Sequence, residues 1–114
     1  MKREFIRLPQ FEANWKACGF TEDDIVELED VLCKNPQIGP IIKRTGGLRK
    51  FRWKRANTGK SGGARVTYVD IVIHERIYLI SAYNKSDKGN LTNKEKNEIK
   101  RIIDLLKEES NRKK

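Results

Sequence analysis

The sequence is short of histidine, cysteine and acid. It has one histidine, two cysteines, and 16 aspartates and glutamates against 25 lysines and arginines in 114 residues. Each shortage excludes something. A lone histidine, His74, rules out a two-histidine acid–base pair within one chain. Cys18 and Cys33 form neither a Cys-x-x-Cys nor a metal-ligand spacing, so no metal site is expected and both are read as reduced and buried. No apolar run approaches the ~18 residues a membrane span needs. Arg7 and Pro9 interrupt "MKREFIRLPQF" where a signal peptide would carry its apolar core. The expected compartment is the cytoplasm, with no membrane partner. No repeat is visible, and the length suits one domain, residues 1–114, with a tail over 110–114 expected to fray. The formal charge of +9 favours a polyanionic partner.

What is present alternates between strand and helix patterns. "EFIRLP" reads as a short strand. Pro9 suits the first turn of a helix, and Phe11, Trp15 and Cys18 form one apolar stripe that Gly19 ends. Thr21 with Asp24 is a short capping box for a second helix. Its buried face is Ile25, Leu28 and Leu32, and Asn35-Pro36 stops it. After the connecting "NPQIGPIIKRTGG" come "LRKFRW", "ARVTYVDIVI" and "RIYLISAY", rich in β-branched and aromatic residues. His74-Glu75 between the last two implies a hairpin. Thr92 with Glu95 caps a final helix whose apolar positions are Ile99, Ile102, Ile103 and Leu106. The order β-α-α-β-β-β-α describes an α+β fold, a small and mostly antiparallel sheet with helices packed on one face.

The stretch "LRKFRWKRANTGKSGGAR", Leu48 to Arg65, holds seven cations and no acid. Its Gly-Lys-Ser is the end of a phosphate-binding loop. However, Lys54 stands where that motif needs its first glycine, and a strand follows where it needs a helix, so a nucleotide site is set aside. Strand alternation says more. Phe51 and Trp53 point into a core, so Lys50, Arg52 and Lys54 point together the other way. Like charges in a row weaken a sheet. The row either binds an anion, faces water, or meets acids such as Glu4, Glu22 or Asp70. The glycine-rich turn "NTGKSGG" brings Arg65 toward the Arg52 and Lys54 end, and Lys60 on that turn is a solubilising residue or a phosphate contact. Tyr83 and Lys85 share a face at the end of the last strand and suit a stacked base with its phosphate. The plainer reading of that pair is a core-edge tyrosine and a solvated lysine.

Taken in order, "TGGLRKFRW", "GKSGGARVTY" and "IYLISAYNKSDKGNLT" resemble the RelE-like toxins of bacterial toxin–antitoxin modules, particularly the HigB-type branch. The likeness runs from Glu4 to about Leu106. It implies a central antiparallel sheet and ribosome-dependent cleavage of messenger RNA in the decoding site. It also implies neutralisation by an antitoxin that often carries a helix-turn-helix domain. By position, the family's paired basic residues match Lys50 and Arg52, the arginine opening the next strand matches Arg65, and the cation after the last strand matches Lys85. These four are the catalytic candidates; Arg49, Lys54, Lys60 and Tyr83 are further candidate RNA contacts. Two features depart from the family. Relatives of the RelE type proper often carry a catalytic tyrosine a few residues past that cation, whereas "DKGNL" has none, which leaves Tyr83 as the substitute. Many HigB-type relatives read Asn-Glu after the lysine, where this chain has Ser86-Asp87.

The implied chemistry uses no metal or other cofactor. A 2′-hydroxyl attacks its neighbouring phosphate, which needs a base, positive charge and a proton for the leaving 5′-oxygen. Neighbouring cations and partial burial make a lysine a better base at neutral pH, and Lys50 lies beside Arg52. Guanidinium forks match phosphate oxygens, which suits Arg52 and Arg65. Two other classes remain open: a basic protein that coats RNA without cutting it, and a toxin of the ParE type that shares the fold and targets DNA gyrase.

Overall fold

The computed structural model describes residues 2–54, 63–84 and 91–112, with side chains to residue 109. Four strands, β1 (Glu4–Arg7), β2 (Arg49–Lys54), β3 (Gly63–Ile71) and β4 (Arg76–Tyr83), form one sheet in the order β1-β4-β3-β2. The pairs β2–β3 and β3–β4 are antiparallel, while β1 runs parallel to β4. The sheet is therefore mixed. Among the described residues, no helix is long and apolar enough to cross a membrane.

Two helices, α1 (Pro9–Ala17) and α2 (Glu22–Lys34), connect β1 to the rest. Pro9 opens α1 at a position where its missing N–H costs nothing. Gly19, at φ +84°, turns the chain away. The Thr21 capping box closes reciprocally: Asp24 N–H donates to Thr21 Oγ1 (3.2 Å), and Thr21 N–H to Asp24 Oδ2 (2.8 Å). Phe11 and Trp15 of α1 and Ile25, Leu28 and Leu32 of α2 pack on Trp53, Val66, Tyr68, Ile77 and Leu79 of the sheet. Trp15 stacks with Phe11 and meets Phe20 and Trp53 at a tilt, at centroid distances of 4.7–5.4 Å. Its indole N–H donates to the Thr21 carbonyl (2.8 Å), so the bury-and-bond requirement of a core tryptophan is met.

One expectation is corrected. The helices do not share a face of the sheet. The third helix, α3 (Asn93–Arg112), packs Ile99, Ile103 and Leu106 against Leu48, Val69, Ile71, Tyr78 and Ile80, a second core on the opposite side. The reason is visible along β3 and β4, where both alternating sets are apolar, as happens when a strand is covered twice. The helix also continues through Arg112, into the segment expected to fray. Its expected cap is present, with Thr92 N–H donating to Glu95 Oε1 (2.9 Å) and Glu95 N–H to Thr92 Oγ1 (3.1 Å).

The hairpin between β3 and β4 turns through a short 3-10 segment, Val72–His74, and Glu75 at φ 54°. Near the other end of β4 the register slips. Thr67 pairs with Ser81 but Tyr68 pairs with Leu79, which leaves Ile80 as the extra residue of a β-bulge.

Candidate functional site

Burial of Phe51 and Trp53 against α1 and α2 turns Lys50, Arg52 and Lys54 to the α3 side of the sheet. The antiparallel register then sets Arg52 directly opposite Arg65, Lys50 opposite Thr67, and Lys54 opposite Gly63. Directly opposed residues have Cβ atoms about 4.5–5.5 Å apart. Two guanidinium-bearing residues are thus cross-strand neighbours.

The bulge adds the third column. Without the extra Ile80, Ser81 and Tyr83 would continue the alternation of Ile77 and Leu79 and face α1. With it, Ala82 turns to the α1–α2 core, and Ser81 and Tyr83 join the α3 side. The outcome is two rows across three strands, Arg52–Arg65–Tyr83 and Lys50–Thr67–Ser81. The Thr67 and Ser81 hydroxyls bond to each other, so the fully buried Thr67 is satisfied beside the Lys50 backbone.

The acids that might have neutralised the row are engaged elsewhere. Glu4 pairs with Arg76 (3.0 Å), Glu22 with Arg7, and Asp70 with Arg3 (2.8 Å). Among the described residues, no carboxylate forms an ion pair with Lys50, Arg52, Lys54 or Arg65. Like charges held together without counter-ions are an anion site in waiting.

Tyr83 has an unusual hydroxyl. It is buried and has no hydrogen-bond partner among the described residues. Burial pushes the phenol above its ordinary pKa of 10.0, and the charge of Arg65 partly opposes that. A phenol shifted upward is a poor proton donor at neutral pH, since an effective catalytic acid titrates near the working pH. The ring is therefore the useful part of Tyr83.

Other candidates lie elsewhere. Arg49 shares the alternation of Phe51 and Trp53, not that of Lys50. Its Nη1 donates to the Gly39 carbonyl (2.7 Å) and, more weakly, to that of Gln37 (3.4 Å). It pins the segment before β2 instead of joining the row. His74 stands in the turn before β4, beyond Arg76, which is itself seven residues from Tyr83 and about 23 Å away at strand rise. Lys60 on the glycine-rich turn and Lys85 lie outside the described residues.

One supporting residue carried no mark in the sequence. Gly39 packs against β2 so closely that a Cβ there would lie 2.7 Å from the Lys50 carbonyl oxygen. Gly39 N–H donates to the Tyr68 hydroxyl (3.0 Å), which itself donates to the Pro36 carbonyl (2.9 Å). Lys50 N–H donates to the Pro40 carbonyl (3.1 Å). This strap fixes the start of the basic strand, and only the folded chain shows why position 39 takes no side chain.

Residues 41–113 match a family model described as the RelE toxin of the RelE/RelB toxin–antitoxin system. The fold is similar to that of the E. coli toxin RelE, solved in the free state as a double arginine-to-alanine mutant. The TM-score is 0.55 with 14% identity, covering 77% of this chain and 88% of that one.

Proposed function

The chain belongs to the RelE toxin family of toxin–antitoxin systems, and from that premise we propose that it is a ribosome-dependent endoribonuclease of the HigB-type branch, held in check by an antitoxin. The observation that carries this reading is the Arg52–Arg65 pair, which no carboxylate of the described residues compensates, with Lys50 alongside on one sheet face. Lys50 takes the proton of a 2′-hydroxyl, whose oxygen attacks the adjacent phosphorus. Arg52 and Arg65 hold the non-bridging oxygens as negative charge builds on them. The bond from phosphorus to the 5′-oxygen breaks, leaving a 2′,3′-cyclic phosphate, and the 5′-oxygen takes up a proton for which Lys85 is the donor by family position. No step needs an oxidant or a metal. A ribosome that holds the message in line for attack supplies the orientation that an open sheet face lacks.

The test is primer extension on messages from cells expressing wild type or Arg65→Ala. Cuts confined to translated reading frames and lost in Arg65→Ala support the nuclease. Intact messages accompanied by DNA damage would replace it with a gyrase-directed toxin. RNA binding without cuts would leave a non-cleaving RNA-binding protein.

A further inference from the structure

A cleft of about 490 Å³ opens between the start of α1, the end of β4 and the first turns of α3. That volume falls within the ~300–1,000 Å³ of small-molecule sites. Leu8, Ile80, Ile99 and Ile102 supply apolar wall. Tyr83 belongs both to this wall and to the basic row, where it is the cross-strand partner of Arg65. The charges change sign across that one residue. The row carries cations, whereas among the described residues the charged ones lining the cleft are Glu95 and Glu98. A phosphate is drawn to one side of Tyr83 and repelled from the other.

We propose that the cleft receives a nucleobase adjacent to the phosphate held on the row, and so contributes to sequence preference; this rests on the nuclease reading above. A base is a flat, largely apolar heterocycle with hydrogen-bonding edges. It suits an aromatic and aliphatic wall with a few polar groups at the rim. The Tyr83 ring offers a stacking surface, and its hydroxyl, without a partner among the described residues, is a group that a base edge could satisfy. Glu98 is exposed at the rim and accepts hydrogen bonds only. It therefore favours a base with adjacent N–H donors, guanine above all, over uracil. Gln10, also exposed on the lining, provides an amide that donates or accepts.

The experiment titrates the full-length protein with short labelled oligoribonucleotides, made uncleavable by one 2′-deoxy substitution. Each position is varied in turn among guanine, uracil and an abasic site. One position is expected at which loss of the base weakens binding about five- to tenfold. Glu98→Gln is expected to erase the preference for guanine over uracil there. Ile102→Trp adds bulk from a position already 41% exposed. It is expected to remove the penalty for the abasic site, with the abasic oligomer as the common reference. The proposal is overturned if no position responds to base removal, or if both variants keep the wild-type pattern. It is also overturned if Ile102→Trp alters only neutralisation by the antitoxin, since the cleft would then hold a side chain of that partner. Primer extension on the same proteins separates the two claims. Base-dependent binding without cutting sinks the nuclease alone, and cutting without base dependence sinks the cleft alone.

Discussion

Replacing Arg52 by threonine should make the protein more stable and less active. Arg52 and Arg65 are opposed across β2 and β3 with no carboxylate of the described residues to relieve them. Opposed residues have Cβ atoms about 5 Å apart, and two unit charges held at that spacing would repel by roughly 0.8 kcal/mol in water. Arg52 is exposed and Arg65 half-buried, so solvent screening leaves a relief of about 0.5 kcal/mol, within the range of cross-strand pairs. Threonine keeps the strand propensity, so that relief is not offset by backbone cost. The expected rise in Tm is ~2–3 °C for a domain of this size. Because the pair is solvent-accessible, the gain should shrink toward zero near 1 M salt, where the Debye length is about 3 Å. The pair should also behave as a cycle: Arg65→Thr in the Arg52→Thr background should add nothing. Thermal unfolding of wild type, both single variants and the double at low and high salt measures all of this. In parallel, cleavage on translating ribosomes should fall about 100-fold for each single variant, the scale of removing one donor from a charged transition state. If each single variant unfolds at a lower temperature than wild type at low salt, or if the gain ignores salt, the two arginines are not repelling. The basic row is then not an anion site.

Three further outcomes follow from the same structure. Asp70→Ala leaves Arg3, whose side chain is only 6% exposed, without its carboxylate; denaturant unfolding should show a loss of about 3 kcal/mol, and a loss below 1 kcal/mol would mean that water replaces the pair. Gly39→Ala pushes a methyl into the Lys50 carbonyl and should cost about 1–3 kcal/mol as well as cleavage activity; Gly19→Ala, strained only by its positive φ, should cost stability and leave cleavage intact, and equal cleavage by the two would show that the strap does not position Lys50. Burial raises the phenol pKa values of both Tyr68 and Tyr83. The folded state therefore favours their protonated forms, and that stability is fully present below about pH 10 and is lost as pH rises through the folded values. Phenolate absorbance of wild type, Tyr68→Phe and Tyr83→Phe during alkaline unfolding checks this, and ionisation of either group near 10 with the fold intact and equally stable would contradict it.

Most of what is local was legible in the sequence. Pro9, the two threonine caps and the Asn35-Pro36 stop set helix ends through backbone geometry and side-chain caps that reach only a few residues. The outward turn of Lys50 and Arg52 follows from the inward turn of Phe51 and Trp53, because strand alternation is a property of one strand. Even the doubly covered centre of the sheet had a trace, the unbroken apolar run "IYLI" and the apolar character of "YVDIVI", interrupted by Asp70 alone. An amphipathic stripe shows that α3 buries one side, but not which face of the sheet receives it.

What the sequence left open depended on partners distant along the chain. The register opposes Arg52 to Arg65, and the acids that might have compensated them are spent on Arg3, Arg7 and Arg76. Arg49 was drawn to the carbonyls of a preceding loop, a contact that no periodicity encodes. The single extra residue, Ile80, reversed the side on which Tyr83 emerges and so completed the row and the cleft wall. A bulge arises where two strands must agree on a register while each keeps its apolar side chains buried. Neither strand alone contains that condition, so tertiary packing had to decide it.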